Sequence, residues 1–296
     1  MNNIFDIKRF GLVFRKDLME GWKRYSLLFL TMIGIIAVVL TWSYWDHYST
    51  IEFTRLNPPL NDFGINHIEQ IRKNHELEIL RYLSFMFGGF GLLFAATFMN
   101  PMNSKLKKIT YLVSPSSSFE KYFSRWIIVT VAYIISFFIA MWIADALRVG
   151  ICSARYPMLD VAFVDLAKLV HWGSNFSGAH AFSDMWLFFT CLALYFLFQS
   201  LFVLGSTFWE KTSFVKTFTA GALIVFLYVM ICRWAILLFY GNLDEFFNVP
   251  NSFESLRNIE KEQGVTIMAS VMVAFTLLNW TLAFFRFRES EIIKRL

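Results

Sequence analysis

Six apolar runs decide what this chain can fold into. They cover residues 27–45, 82–100, 126–147, 185–208, 217–240 and 265–285. As a helix rising 1.5 Å per residue, each is long enough to cross a hydrocarbon layer of about 30 Å. Phenylalanine alone supplies 35 of the 296 residues, and charged residues make up only 17%. A soluble globule carries about 25% charged residues, too many for this chain to imitate, and could not hide this much apolar surface from water. The chain therefore reads as an all-α membrane protein with six transmembrane helices, forming a single transmembrane domain over residues 1–296. Trp42, Trp45, Trp126, Trp142, Trp186, Trp209 and Trp280 fall towards the ends of the runs, where amphipathic rings meet the lipid headgroups.

The basic residues set the orientation. Seventeen Lys and Arg lie in the N-terminal segment, the 103–125 loop, the 210–216 turn and the tail, against nine in the three intervening connections. An excess of Lys and Arg marks the cytoplasmic side, so both termini are expected there. The net charge of +5 sits at the ends of the apolar runs and does not form a nucleic-acid surface. Within residues 1–25, Phe10, Phe14, Leu18 and Trp22 recur every four positions among Lys8, Arg9, Arg15, Lys16, Lys23 and Arg24. That pattern predicts a basic amphipathic helix lying flat in the lipid interface ahead of the first span. A cleavable signal peptide is not expected, because the first 25 residues are charged throughout and the following run is too long.

The connections on the other side differ from one another. In 46–81, a turn at Asn57-Pro58-Pro59 precedes a helix carrying Ile65, Ile68, Ile71 and His75 on one side, which leads into the second span. In 148–184, Leu159, Ala162, Phe163, Leu166 and Leu169 share a helical face, which predicts an interfacial or re-entrant helix. The acidic 241–264 connection reads as a short capped helix.

Ionisable groups inside a span are costly and default to a functional role. Arg233 is the only charge well inside a run, and Asp145 closes the third span on the same side, so the two are candidates for an intramembrane pair. Gln199 and Asn279 are mid-run amides expected to bond a neighbouring helix. Cys152, Cys191 and Cys232 make no disulfide framework. His75-Glu76 lacks the second histidine of a zinc helix, and His67, His75, Glu76 and Glu78 have no spacing that specifies a metal. The stretch from Gly205 to Thr212 has Glu210 where a phosphate-binding loop needs its second glycine. The chain is expected to bind no cofactor or metal and to be no enzyme. With no proton or ion relay, uphill movement of a substrate would need a partner to supply the energy.

That places weight on the polar stretch 103–126, NSKLKKITYLVSPSSSFEKYFSRW. Lys105, Lys107 and Lys108 precede the apolar patch Tyr111-Leu112-Val113, and Ser114-Pro115 ends it. Ser117-x-x-Glu120 is a capping box opening a helix that becomes the third span. In the order of its parts the chain resembles the ABC-2 type permeases, the membrane subunits of type V ABC exporters. The likeness rests on the amphipathic N-terminal helix and the six spans with both ends inside. It also rests on Leu112-Val113-Ser114-Pro115-Ser116 with Glu120 between spans two and three, and on the tail Phe285-Arg286-Phe287-Arg288-Glu289.

The resemblance implies an exporter subunit in a bacterial cytoplasmic membrane, paired with a second permease copy, identical or related. ATP and magnesium would be bound by separate cytoplasmic ABC ATPase subunits. Lys105, Lys107, Lys108, Tyr111, Leu112, Ser114 and Glu120 would meet the ATPase, together with Phe14, Arg15 and Trp22 of the connecting helix. The small residues Gly88, Gly89 and Gly91 would allow close helix approach at a path between the two permeases, lined mainly by spans two and five. Two other classes compete. One is a membrane enzyme with an outer-face site near His67, His75 and Glu78. The other is a non-transporting scaffold or sensor subunit of a membrane complex.

Overall fold

A computed structural model describes residues 5–56, 63–100, 111, 115–159, 161–165, 185–209, 212–240 and 261–292, with backbone alone at 55, 63–70, 232, 235–240, 261–263, 265 and 290–292. Its long helices are α1 (Ile7–Leu56), α2 (Phe63–Ala96), α3 (Ser118–Ile127), α4 (Tyr133–Arg155), α5 (Met185–Phe208), α6 (Ser213–Tyr240) and α7 (Lys261–Ile292). A π-helical turn, Ile128–Ala132, joins α3 to α4. Among the described residues, six stretches are long and apolar enough to cross a membrane, and each expected span falls on one of them. The protein is thus a multi-pass helical membrane protein. The chain divides into two compact units, Met1–Phe94 with Ser116–Phe188, and Ala95–Pro115 with Phe189–Leu296.

In the first unit, α1 is one helix of 50 residues. At 1.5 Å per residue it is about 75 Å long. The basic helix expected at the N-terminus is formed, and it runs without a break into the first span. Nothing between Tyr25 and Leu28 can stop it: there is no proline, no helix-capping glycine and no second N-cap. The stripe expected at Phe10, Phe14, Leu18 and Trp22 is also rotated. Val13 and Asp17 are buried, Phe10 and Phe14 half-buried, and Leu18 and Trp22 exposed.

Deeper in the unit, Met32, Ile36 and Leu40 repeat at four-residue spacing and are fully buried, as are Tyr133, Phe137, Ala140, Met141 and Ala144 of α4. α1 packs on both α3 and α4. Lipid is as apolar as these side chains, so such stripes stabilise by close packing and dispersion rather than by leaving water. α2 joins through aromatic rings. Phe87 lies edge-on to Phe137 at 5.1 Å, Phe94 lies 5.0 Å from Tyr133, and the Tyr133 hydroxyl donates to the Phe87 carbonyl.

α4 continues to Arg155, past the expected end of the third span near residue 147. Tyr156 then leaves the helix (φ −121°, ψ 65°), and Leu159 N–H donates to the Tyr156 carbonyl at 3.1 Å. The interfacial or re-entrant helix expected after it is not formed over 161–165, which has no regular structure. The cause lies in α4, which engages two backbone groups of this stretch (below). The remainder of that connection, the proline turn at 57–59, and the 241–264 connection up to residue 260 lie outside the described residues.

In the second unit, α7 buries Met272, Thr276, Asn279, Ala283 and Phe287, a helical stripe of mixed polarity. α5 buries Gln199, Ser200, Phe202, Val203 and Ser206. Just before α6, Thr212 stands at φ 54°. Gly205 faces Thr217 so closely that a Cβ added there would stand 2.1 Å from the Thr217 Oγ1, so only glycine fits. By contrast, none of the apolar window of α6 is buried.

Candidate functional site

The site is a joint between the N-terminal turns of α1 and the short helix α3. Ser117 takes the N-cap position of α3 in extended conformation (φ −68°, ψ 153°). Its Oγ accepts from Glu120 N–H at 3.2 Å, and Glu120 Oε2 accepts from Ser117 N–H at 3.0 Å. The capping box read from the sequence is therefore present in both directions. Glu120 does more than cap. Its Oε1 accepts from Asp6 N–H at 2.9 Å, and the Arg9 guanidinium grips it as a fork, Nε to Oε2 and Nη2 to Oε1, both at 2.8 Å. One carboxylate with no exposure thus collects two backbone and two guanidinium donors at the positive end of α3.

Two turns further along α1, Asp17 repeats the arrangement with the signs reversed. Asp17 Oδ2 accepts from Ser124 Oγ at 2.8 Å, and Oδ1 from Arg125 Nη2 at 3.1 Å. Both side chains are almost wholly buried, 1% exposed for Asp17 and 6% for Arg125. Along α1 the charges run positive then negative, and along α3 negative then positive. The two helices run in the same direction, and a slide bringing Arg9 towards Arg125 would set like charges together. A buried pair adds little net stability once desolvation is counted, but it fixes register strongly. Aromatic rings fill the gaps, with Phe10 5.6 Å from Phe123 and Phe5 6.3 Å from Phe119. α3 then passes through the π turn into α4, and π turns within helices recur at functional sites.

The residues expected to meet an ATPase fall out unevenly. Arg15 and Trp22 are exposed on α1, and Phe14 is half-buried. Glu120 is buried in the joint and presents no surface to a partner. Tyr111 is also buried, its ring edge-on to Phe287 at 6.3 Å within the second unit. Both act inside the chain, because neighbouring groups already occupy them. Lys105, Lys107, Lys108, Leu112 and Ser114 lie outside the described residues. Sequence reasoning missed Arg9, Asp17, Ser124 and Arg125 as a set. The available signal was Arg9-Val13-Asp17 at four-residue spacing, a buried face carrying charge.

A second buried ion pair stands near the other end of α4. Arg148 Nε donates to Asp145 Oδ1 at 2.6 Å, and its guanidinium lies 3.9 Å from the centre of the Tyr44 ring. Arg148 Nη2 donates to the Ala162 carbonyl at 2.6 Å, and Asp145 Oδ2 accepts from Val164 N–H at 2.8 Å. This pair straps residues 162–164 against the helix and takes the backbone groups a local helix would have used. Asp145, read from the sequence as a partner for Arg233, has both oxygens engaged within its own unit. Arg233 belongs to the second unit and is exposed on α6.

In the second unit the mid-run amides do bond a neighbouring helix. Asn279 Nδ2 donates to Ser200 Oγ at 3.1 Å, and Trp280 Nε1 donates to Gln199 Oε1 at 3.3 Å, clamping α7 to α5. Among the described residues, no group of three or more His, Cys, Asp or Glu is arranged to hold a metal ion. No protein-family model matches the chain, and no curated protein or solved structure shows significant similarity to it.

Proposed function

We propose that this chain is the membrane-spanning permease subunit of an ATP-driven exporter, worked by a separate cytoplasmic ATPase that binds ATP and magnesium. The observation that carries the reading is the joint. Arg9–Glu120 and Asp17–Arg125 fasten the start of α1 to α3, and α3 leads through one π turn into the apolar helix α4. A load taken on the 103–115 loop, or on Arg15 and Trp22, would move α1 and α3 together and tilt α4 as a lever.

In this reading both termini lie in the cytoplasm of a bacterial cell, and two permease copies, identical or related, form the path. Two surfaces support a second copy. A Cβ built on Gly88 or Gly89 meets nothing within 4 Å, so α2 keeps a smooth face for close helix approach. α6 exposes its apolar length.

The test is purification of the tagged chain from its native host in mild detergent. The expected result is a stoichiometric cytoplasmic subunit with an intact phosphate-binding loop, whose ATP hydrolysis falls on charge reversal at Lys107 and Lys108 while the permease stays inserted. Well-folded chain recovered without a nucleotide-binding partner, or hydrolysis indifferent to both reversals, would overturn the reading.

A further inference from the structure

His47 of α1 and His75 of α2 stand face to face within the first unit. Their rings lie 4.0 Å apart and within 8° of parallel, and the two residues are only 7% and 8% exposed. Both fall outside the apolar runs, His47 past the one in α1 and His75 ahead of the one in α2. His47 comes 30 residues after Asp17 on the unbroken α1. That is about 45 Å along the helix, so the stack and the joint lie on opposite sides of a hydrocarbon core of about 30 Å.

The surroundings suit neutral rings. His75 Nε2 is 3.2 Å from the Ser43 carbonyl oxygen and 3.1 Å from Ser43 Oγ. A carbonyl only accepts, so Nε2 carries the hydrogen and Nδ1 the lone pair. The Tyr44 ring stands edge-on to His75 at 4.6 Å, and the Arg148 guanidinium covers that ring at 3.9 Å. Of the charged groups, His75 faces Arg148 of α4, which is fully buried, and Asp46 of α1, which is exposed. Asp145 is already engaged by Arg148 and Val164. His47 faces Asp46 of α1 and both Glu76 and Arg72 of α2. A proton on either ring adds a poorly solvated charge, and protons on both set two cations 4.0 Å apart.

We propose that the His47–His75 stack is an acid-released latch between α1 and α2. It is shut while both imidazoles are neutral and opens when they take up protons. An open cleft of about 720 Å³, lined by both histidines, brings water and its protons to the rings. The closed form holds fewer protons than the open one. Closure is therefore complete above the ordinary histidine pKa of about 6.5 and weakens as pH falls below it. Parting of the rings frees the first turns of α2 from α1, while Phe87 and Phe94 keep the rest of α2 on α4. The inference does not rest on the transport reading, since opening is measured without an ATPase.

The experiment is hydrogen–deuterium exchange of the full chain in phosphatidylcholine nanodiscs, corrected for the pH dependence of intrinsic exchange. Two conditions bracket the histidine range, about pH 7.5 and about pH 5. The expected result is a loss of protection of about tenfold or more over residues 71–80 at the lower pH, with residues 133–144 of α4 unchanged. In the His47→Phe/His75→Phe variant, whose rings stack but cannot charge, protection should be the same at both pH values. If that variant does not fold, His47→Phe alone carries the test. One proton then replaces two, and the acid-induced loss should shrink by about threefold or more. Equal protection of the parent at both pH values, protection that rises on acidification, or a full acid-induced loss in the Phe variants would overturn the proposal.

Discussion

Arg9 and Glu120, 111 positions apart in the chain, meet as a two-point fork with Nε 2.8 Å from Oε2. The pair is lopsided. The Arg9 side chain keeps 37% of its exposure and the Glu120 side chain keeps none. Loss of Arg9 leaves a buried carboxylate still held by two backbone N–H groups, whereas loss of the Glu120 side chain strips the acceptor from the Ser117 amide, the Asp6 amide and Arg9 together. Glu120→Ala should therefore cost about 2–3 kcal/mol, more than Arg9→Ala, whose side chain stays partly in water. Thermal unfolding of the detergent-solubilised protein measures both. Equal melting temperatures for the two variants would show that Glu120 does not organise the joint.

Asp17 and Arg125 make the sharper test because both are buried. Removing either partner leaves an unpaired charge out of water, expected to cost about 3–5 kcal/mol. Removing both should cost clearly less than the sum, with a coupling energy of about 1–3 kcal/mol. The four-variant cycle, Asp17→Ala, Arg125→Ala, the double and the parent, gives that number directly. Strict additivity would mean that the 3.1 Å contact carries no interaction.

The six spans were legible because length and apolarity alone decide them, and a membrane permits few alternatives. The joint was not. Arg9 and Asp17 look like ordinary flanking charges until α3 is placed beside them; their four-residue spacing through Val13 puts them on one face but does not say what covers it. Continuity of α1 was readable from the lack of any breaker near Ser26, but the change from basic to apolar composition reads more naturally as a boundary. Arg148 misled in the opposite direction. A charge after an apolar run looks like the end of a span, yet Asp145 one turn earlier neutralises it and lets α4 continue to Arg155. The helical periodicity of Leu159, Ala162 and Phe163 then loses to a tertiary demand on the backbone of Ala162 and Val164.

That demand can be measured. Asp145→Ala removes both acceptor oxygens and should free the Val164 amide, and amide hydrogen exchange there should accelerate at least tenfold while α4 stays protected. Arg148→Lys should not preserve the strap, because an ammonium cannot hold Asp145 and the Ala162 carbonyl through two fixed donors. Unchanged exchange at Val164 in Asp145→Ala would show that the strap is held by something else.

In the second unit the amide clamp predicts a smaller effect. Hydrogen bonds between helices in lipid are worth about 0.6 kcal/mol on average, because the separated helices also find partners. Ser200→Ala and Gln199→Leu should each destabilise by about that amount, and unfolding should remain cooperative. A loss above about 2 kcal/mol in either would mean that the contacts at 3.1 and 3.3 Å belong to a larger polar network.

The contact of Gly205 with Thr217 should prove less forgiving. A Cβ at Gly205 would stand 2.1 Å from Thr217 Oγ1, 2.6 Å from Cγ2 and 2.9 Å from Cβ. The first two atoms belong to a β-branched side chain with little freedom to turn away on a helix, and the third cannot move without shifting α6. Gly205→Ala should thus destabilise by about 1–3 kcal/mol through overpacking, despite alanine's better helix propensity. Thr217→Gly in the same chain removes all three clashing atoms and should restore most of the loss, beyond a helix-propensity cost of about 0.3–0.5 kcal/mol relative to threonine. Thr217→Ala keeps the Cβ at 2.9 Å and should restore less. Melting temperatures ranked parent, then Gly205→Ala/Thr217→Gly, then Gly205→Ala/Thr217→Ala, then Gly205→Ala would establish the contact. A neutral Gly205→Ala would place α5 and α6 further apart than the structure has them.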